Sequence, residues 1–288
     1  MRKGFILSCN AGNYKVDSNG EIFMCRARGK FRIDKEKPLA GDEVIFDEKE
    51  KYLLKIEPRK NSFVRPPIAN VDQVIVIASI TNPPISLALI NRFITMSIVC
   101  GVKPIIALSK VDLIDKDDEL LQKINNAYKD LDYKIIPFSN KTKVGIEEII
   151  KTLDSKKTVF TGQSGVGKSS LINNLLPEYN KETGDISKAL GRGKHITRLV
   201  EFLKYGNGWI ADTPGFSLID IDLKPVELAT CYPGFENLFS NCKFRNCLHE
   251  SEKGCAVKSA IKSGIISKDH YDIYLSLLEE LKNKKERF

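Results

Sequence analysis

Residues 162–169 read Gly-Gln-Ser-Gly-Val-Gly-Lys-Ser, with the apolar run KTVF just before them and the helix-forming SLINNLL just after. This is G-x-x-x-x-G-K-[ST] in its working context, a strand that feeds a loop that opens a helix. The glycines let the backbone N–H groups of Gly162, Gln163, Ser164, Gly165, Val166 and Gly167 turn inward on phosphate oxygens. The helix N-terminus adds partial positive charge. Lys168 reaches the β- and γ-phosphates and the Ser169 hydroxyl ligates Mg²⁺, with Ser170 beside them. Such a loop demands a parallel sheet, so the segments around it must supply one.

They do. VDQVIVIASI is a continuous apolar run suited to a strand buried on both faces. A helix is predicted near 86–100, the strand KPIIALS follows, then a helix near 117–131, the strand YKIIPFS, a helix near 145–153 and the strand KTVFTG. Alternating strands and helices imply a multidomain α/β protein whose central domain, residues 63–218, is a parallel sheet with helices on both faces.

Three further stretches complete a nucleotide site. SKVD, residues 109–112, ends one strand. The Asp112 carboxylate can accept two hydrogen bonds from the N1–H and N2–H₂ edge of guanine, which adenine lacks. The Lys110 stem can lie along the base, with Ser109 and Val111 in the same loop. PFSNKT ends the next strand, and Ser139 and Asn140 are its candidate base contacts. DTPG follows the apolar GWIAD; Asp212 suits Mg²⁺ and the Gly215 N–H suits the γ-phosphate.

The order is unusual, because SKVD stands 53 residues before Gly162. A parallel sheet builds its site at the carboxyl ends of its strands whatever order the chain visits them. Joining the usual ends and cutting elsewhere puts the base-reading loops first and leaves the site whole. The chain reads as a circularly permuted P-loop GTPase.

Two flanking regions differ in grammar. Residues 1–62 hold five short strands, FIL, GNYKV, EIFMCRA, DEVIF and YLLKI, as expected of an OB-fold β-barrel. In CRARGKFRI the cations Arg26, Arg28, Lys30 and Arg32 alternate with apolar residues, which puts them on one face of an extended strand. That face suits RNA phosphates, or a solvated edge kept basic against aggregation. NSFVRPP, residues 61–67, reads as a linker broken by its prolines. Residues 219–288 read as helical, ending in a long amphipathic helix over 267–285. They carry Cys242, Cys247, His249 and Cys255 as C-x₄-C-x-H-x₅-C. Three thiolates and one imidazole at this spacing suit one closed, structural Zn²⁺.

Net charge is +8 with seven cysteines, an odd number. A basic chain is consistent with nucleic acid, and a reducing cytosol favours metal over disulfides. No apolar run nears the ~20 residues of a bilayer span, and FIL is too short for a signal peptide. The expectation is a cytoplasmic monomer with no membrane partner.

The motif order, GQSGVGKSS, GRGKHITR at 191–198, DTPGF and the cysteine pattern together strongly resemble the RsgA (YjeQ) family of circularly permuted, ribosome-associated GTPases. The resemblance spans essentially the whole chain. It implies GTP hydrolysis to GDP coupled to late maturation of the small ribosomal subunit, with rRNA as partner. It also implies Thr197 as an Mg²⁺ ligand with Ser169 and Asp212. Where Ras-like GTPases often place a water-orienting glutamine, Phe216 stands. His195 is the candidate to orient or deprotonate water alongside Lys168 and Thr197; a structural or RNA-facing role is its alternative. Two rival readings are a GTP-dependent switch acting on a protein partner and an RNA-binding module with a vestigial nucleotide site. His270, outside every motif, reads as structural.

Overall fold

The computed structural model describes residues 1–27, 31, 37–64, 66–84, 86–115, 118–128, 131–178, 200–212 and 223–284, with 212 and 284 by backbone alone. Strands β1 (Arg2–Asn10), β2 (Asn13–Ser18), β3 (Glu21–Ala27), β4 (Glu43–Asp47) and β5 (Tyr52–Ile56) follow one another. They pair in the order β1-β2-β3-β5-β4, and β4 pairs back to β1, which closes a barrel. The β3–β5 contact is parallel and the rest antiparallel. Alternation fills its interior: Tyr14 and Val16 of β2, Phe23 and Cys25 of β3, and Val44 and Phe46 of β4 all point inward.

The expectation of one extended basic strand through Arg32 fails at Phe31. Strand β3 ends at Ala27, and Phe31 is helical with its ring buried in the barrel core. There it joins Phe23, Val44 and Phe46. Arg26 is exposed near the end of β3. Arg28, Lys30 and Arg32 lie outside the described residues.

The predicted linker is a small hairpin, β6 (Ser62–Phe63) paired with β7 (Ile68–Ala69). Pro66 and Pro67 sit in its turn, where they break nothing, and Phe63 is buried. Then come β8 (Gln73–Ser79), α1 (Leu87–Val99), β9 (Pro104–Ser109), α2 (Glu119–Tyr128), β10 (Ile135–Phe138), α3 (Ile146–Leu153), β11 (Lys157–Gly162) and α4 (Lys168–Leu175). After the undescribed stretch a hairpin follows, β12 (Glu201–Tyr205) and β13 (Gly208–Asp212). Sequence reading had found only the second of these strands.

The sheet order is β10-β9-β8-β11-β13-β12, parallel through β13. Val74, Val76 and Ala78 of β8 face α1 and α2; Ile75 and Ile77 face α3 and α4. Side chains alternate across a strand, so a run buried on both faces must be apolar throughout, as this one is. From β8 the chain crosses to β9 on one side, and it later returns to β11 on the other. The strand order therefore reverses between β8 and β11, the place where such sheets bind ligands.

Strand β12 bridges to β1 at Glu201 and Ser8, so the barrel continues the sheet. Lys15 and Glu201 pair at 2.9 Å across this seam, and the ring of Phe5 meets those of Phe202 and Trp209. Beyond 222 lie α5 (Pro225–Cys231), α6 (Ala256–Lys262) and α7 (Lys268–Lys284), wrapped on a core of Tyr232, Phe235, Tyr274 and Leu278. This region docks on α1 through Asn91 and Tyr232, and Arg92 pairs with Glu280.

Candidate nucleotide site and metal centre

The parallel register aligns the ends of the strands. Ser109 stands beside Ser79 on one side and Phe138 on the other, and Gly162 pairs with Ile77. The loops after β8, β9, β10 and β11 thus leave the sheet at a common edge, and β13 ends there at Asp212. Their order along the chain is that of a permuted domain; their meeting place is one site.

The phosphate loop has the geometry that its glycines permit. Gly162, Gly165 and Gly167 have φ of 153°, 81° and 94°. A Cβ on Gly162 would stand 2.2 Å from the carbonyl oxygen of Ile77, so the loop can start this close to β8 only without a side chain. Gly167 caps the N-terminus of α4. Lys168 is buried at the first position of that helix, while Gln163, Ser164, Ser169 and Ser170 are exposed. Val166 is buried and fixes the loop to the core.

The loops after β9 and β10 grip this loop directly. The Ser109 hydroxyl donates to the carbonyl of Val166 at 2.6 Å, from a fully buried position. A serine at this position therefore has reach enough to tie the two loops. Lys110 takes the left-handed conformation at φ 65°, and its ammonium donates to the carbonyl of Asn82. Val111 and Asp112 open a short 3-10 turn. The Ser139 hydroxyl donates to Asp112 Oδ1 at 2.6 Å, and it accepts from the N–H groups of Lys141 and Thr142 at 3.1 and 3.0 Å. These three hydrogen bonds fix the Ser139 hydroxyl, and through it the orientation of the Asp112 carboxylate. The Asn140 Nδ2 donates to the carbonyl of Gly167 at 3.0 Å.

Cys242, Cys247, His249 and Cys255 converge, their donor atoms all within 4.8 Å of one another. A tetrahedron with metal–sulfur bonds of about 2.3 Å has edges near 3.8 Å. His249 Nδ1 lies 3.7 Å from Cys242 Sγ and 3.3 Å from Cys255 Sγ. Its Nε2 faces the carbonyl of Ala229 at 3.1 Å, which assigns the proton to Nε2 and leaves the Nδ1 lone pair for a metal. The N–H groups of Ala256 and Lys258 point at Cys242 and Cys255 sulfurs. Burial pushes the Cys247 and Cys255 thiols up and the His249 imidazole down. Without a metal the buried cluster therefore favours its uncharged forms, and a divalent ion must displace the thiol protons. The donor set fits zinc.

His270 is buried and its Nε2–H donates to the carbonyl of Pro233 at 2.9 Å, as expected of a structural histidine. Arg192, Lys194, His195, Thr197, Arg198, Gly215 and Phe216 lie outside the described residues, as does the Asp212 side chain. Asn174 was missed by sequence reading, as was the buried Asn91. Asn91 carried a signal, being a polar residue amid the apolar positions Ile90, Phe93 and Ile94 of one helix.

Comparison with known proteins agrees with this geometry. Residues 56–222 match the model of the RsgA GTPase family, and residues 3–52 match that of the RsgA N-terminal domain. The chain is 44% identical, over its whole length and that of the relative, to the small ribosomal subunit biogenesis GTPase RsgA of Geobacillus sp. (strain WCH70). It is 42% identical to the protein so named in Streptococcus pneumoniae serotype 4, covering 99% of this chain and 97% of that one. The crystal structure of YloQ, a circularly permuted GTPase, superposes with a TM-score of 0.80 at 36% identity, covering 100% of this chain and 97% of the other. That of YjeQ from Thermotoga maritima gives 0.81 at 32% identity, covering 97% and 98%.

Proposed function

The chain belongs to the RsgA family of GTPases, and from that membership we propose that it serves the biogenesis of the small ribosomal subunit. It binds the immature subunit through rRNA in its GTP form, acts late in maturation, hydrolyses GTP when docked, and leaves as the GDP form. It works as a cytoplasmic monomer. The observation that supports this best is that Ser109 and Asn140 tie their loops to the Val166 and Gly167 carbonyls at one sheet edge, while Ser139 holds Asp112.

GTP sits with its phosphates on the backbone of residues 162–168 and its base against Asp112. Ser169, exposed in the first turn of α4, would hold Mg²⁺ with Thr197 and Asp212. Such an ion would supply neutralisation of the charge on the β- and γ-phosphates. Lys168 stabilises the same charge. His195 orients the attacking water once the protein has docked. The barrel, residues 1–62, offers Arg26, Arg28, Lys30 and Arg32 to RNA phosphates. The region 219–288, folded on one structural Zn²⁺, is the second grip.

The test pairs sedimentation with turnover. The protein should co-sediment with small subunits in a GTP analogue and not in GDP, less so as salt rises. Small subunits should raise hydrolysis and large ones should not, and His195→Ala should lower the stimulated rate while sparing GDP affinity. A rate unmoved by small subunits, at concentrations where they sediment with the protein, would overturn the mechanism.

A further inference from the structure

Four groups form one hydrogen-bonded chain along the flank of the phosphate loop. Lys143 Nζ donates to Asn174 Oδ1. Asn174 Nδ2 donates to Asn140 Oδ1 at 3.0 Å and to the Asn140 carbonyl at 3.3 Å. Asn140 Nδ2 donates to the carbonyl of Gly167 at 3.0 Å. Both ends of this chain are chemically one-way, because an ammonium only donates and a peptide carbonyl only accepts. That polarity fixes both amides between them in a single orientation.

The end point matters for phosphate binding. The Gly167 carbonyl and the Lys168 N–H belong to one planar trans peptide, so they point in opposite directions. The carbonyl also accepts from the N–H of Leu171 at 2.9 Å, along the helix. The Lys168 N–H therefore points out of the helix N-terminus, where an anion binds. Holding the carbonyl aims the N–H. Ser109 holds the Val166 carbonyl in the same way, one peptide earlier, and so aims the Gly167 N–H. Two consecutive peptides of the phosphate loop are thus steered by two base-reading loops.

Asn140 cannot do this alone. It is a half-buried side chain on a loop, and its amide is free to rotate unless something holds the other end. Asn174 supplies that hold from the last turn of α4, the helix that the phosphate loop opens. The space is closed on the other side too: a Cβ on Gly167 would stand 2.9 Å from Asn140 Nδ2. We infer that Asn174 is a positioning residue for the nucleotide, pinning Asn140 against the Gly167 carbonyl so that the base-reading loop and the phosphate loop move as one. This rests on residues 162–169 being the phosphate loop.

GDP titrations on the full chain test it. Asn174→Asp keeps the shape and the acceptor for Lys143 but sets an acceptor against Asn140 Oδ1. Asn140→Asp sets one against the Gly167 carbonyl. Each should weaken GDP binding about fivefold or more, as expected for losing a hydrogen bond in a ligand-holding network. The double variant should be little worse than the poorer single one, because the two act in series. Asn174→Ala should show a smaller loss in the same direction. The urea midpoint of the nucleotide-free protein should stay put, since Asn174 is only half-buried. Wild-type GDP affinity in Asn174→Asp overturns the inference, as do losses that add in the double variant, or a GDP loss matched by a fallen midpoint. Failure of the wild-type chain to bind GDP would instead remove the phosphate-loop reading itself, and this inference with it.

Discussion

Asn91 Nδ2 donates a 2.6 Å hydrogen bond to the hydroxyl of Tyr232, joining the first helix after β8 to the region of the cysteine cluster, 141 residues later. The pair is the centre of a wholly buried network. The Tyr128 hydroxyl donates to Asn91 Oδ1 at 2.6 Å, and the Tyr232 hydroxyl donates on to the carbonyl of His270 at 3.0 Å. Both amide atoms of Asn91 and both roles of the Tyr232 hydroxyl are engaged.

A network this enclosed is costly to cut halfway. Tyr232→Phe keeps the ring and its contacts with Phe235 and Tyr274 but leaves Asn91 Nδ2 buried without an acceptor. The expected cost is about 1–3 kcal/mol. Urea unfolding of the variant, with the slope checked for unchanged cooperativity, measures it.

Metal removal should act through the same contact. One Zn²⁺ per chain is expected in protein purified without chelator, and its absence by metal analysis would count strongly against the site. Cys247→Ala should loosen the region 225–284, because the binding energy of a structural zinc is folding energy. Asn91 and Tyr128 would then lose their cover, so α1 and α2 should also exchange their amides faster. GDP binding should survive, since Ser109, Asp112, Ser139 and Asn140 touch nothing in that region among the contacts described. Hydrogen exchange and a GDP titration on one preparation read both effects.

These two results mark what the sequence carries and what it hides. The parallel sheet was legible because β8 to β11 are apolar on both faces and are punctuated by helices with a regular period. The metal set was legible because ligand spacing is local. Strand β12 was not, because EFLKY alternates weakly and takes its identity from a hairpin partner. The hairpin at 62–69 is hidden because prolines in a sequence signal a break, whereas here they sit in its turn. The tie from Asn140 to the Gly167 carbonyl was not legible either, since a loop sequence does not say which neighbour will capture an amide. That choice depends on Asn174, 34 residues away and on another element.

Base recognition yields a sharper test. Asp112 accepts from Ser139, so its carboxylate is already oriented for the guanine edge proposed for it. Asp112→Asn replaces an acceptor by a donor and should shift preference from guanine towards xanthine nucleotides. Ser139→Ala leaves the charge and removes its guide, so GDP affinity should fall about fivefold without a change of base preference. Competition titrations with GDP, xanthosine diphosphate and ADP separate the two outcomes. Equal affinity of the wild-type chain for ADP and GDP would sink the assignment.

His270 should make the C-terminal region sensitive to mild acid. Burial lowers its pKa, with the hydrogen bond to Pro233 opposing that shift, and Nδ1 is buried with no partner among the described residues. The rings of Tyr128 and Tyr232 lie against it and offer no charge to offset a proton. The folded protein therefore holds His270 neutral at a pH where the unfolded chain, titrating near 6.5, already binds a proton. Unfolding takes up that proton, so stability is full above about pH 6.5 and falls as pH drops towards the lowered folded value. The slope is at most about 1.4 kcal/mol per pH unit from this one group. His270→Gln can keep a donor for Pro233 and cannot titrate. Its stability relative to the wild type should therefore rise between pH 7.5 and pH 5.5, whatever its absolute cost. Both proteins share the cysteine cluster, so acid loss of metal enters both curves alike. A difference between the two proteins that stays constant across that range would show that His270 is not the neutral buried group described.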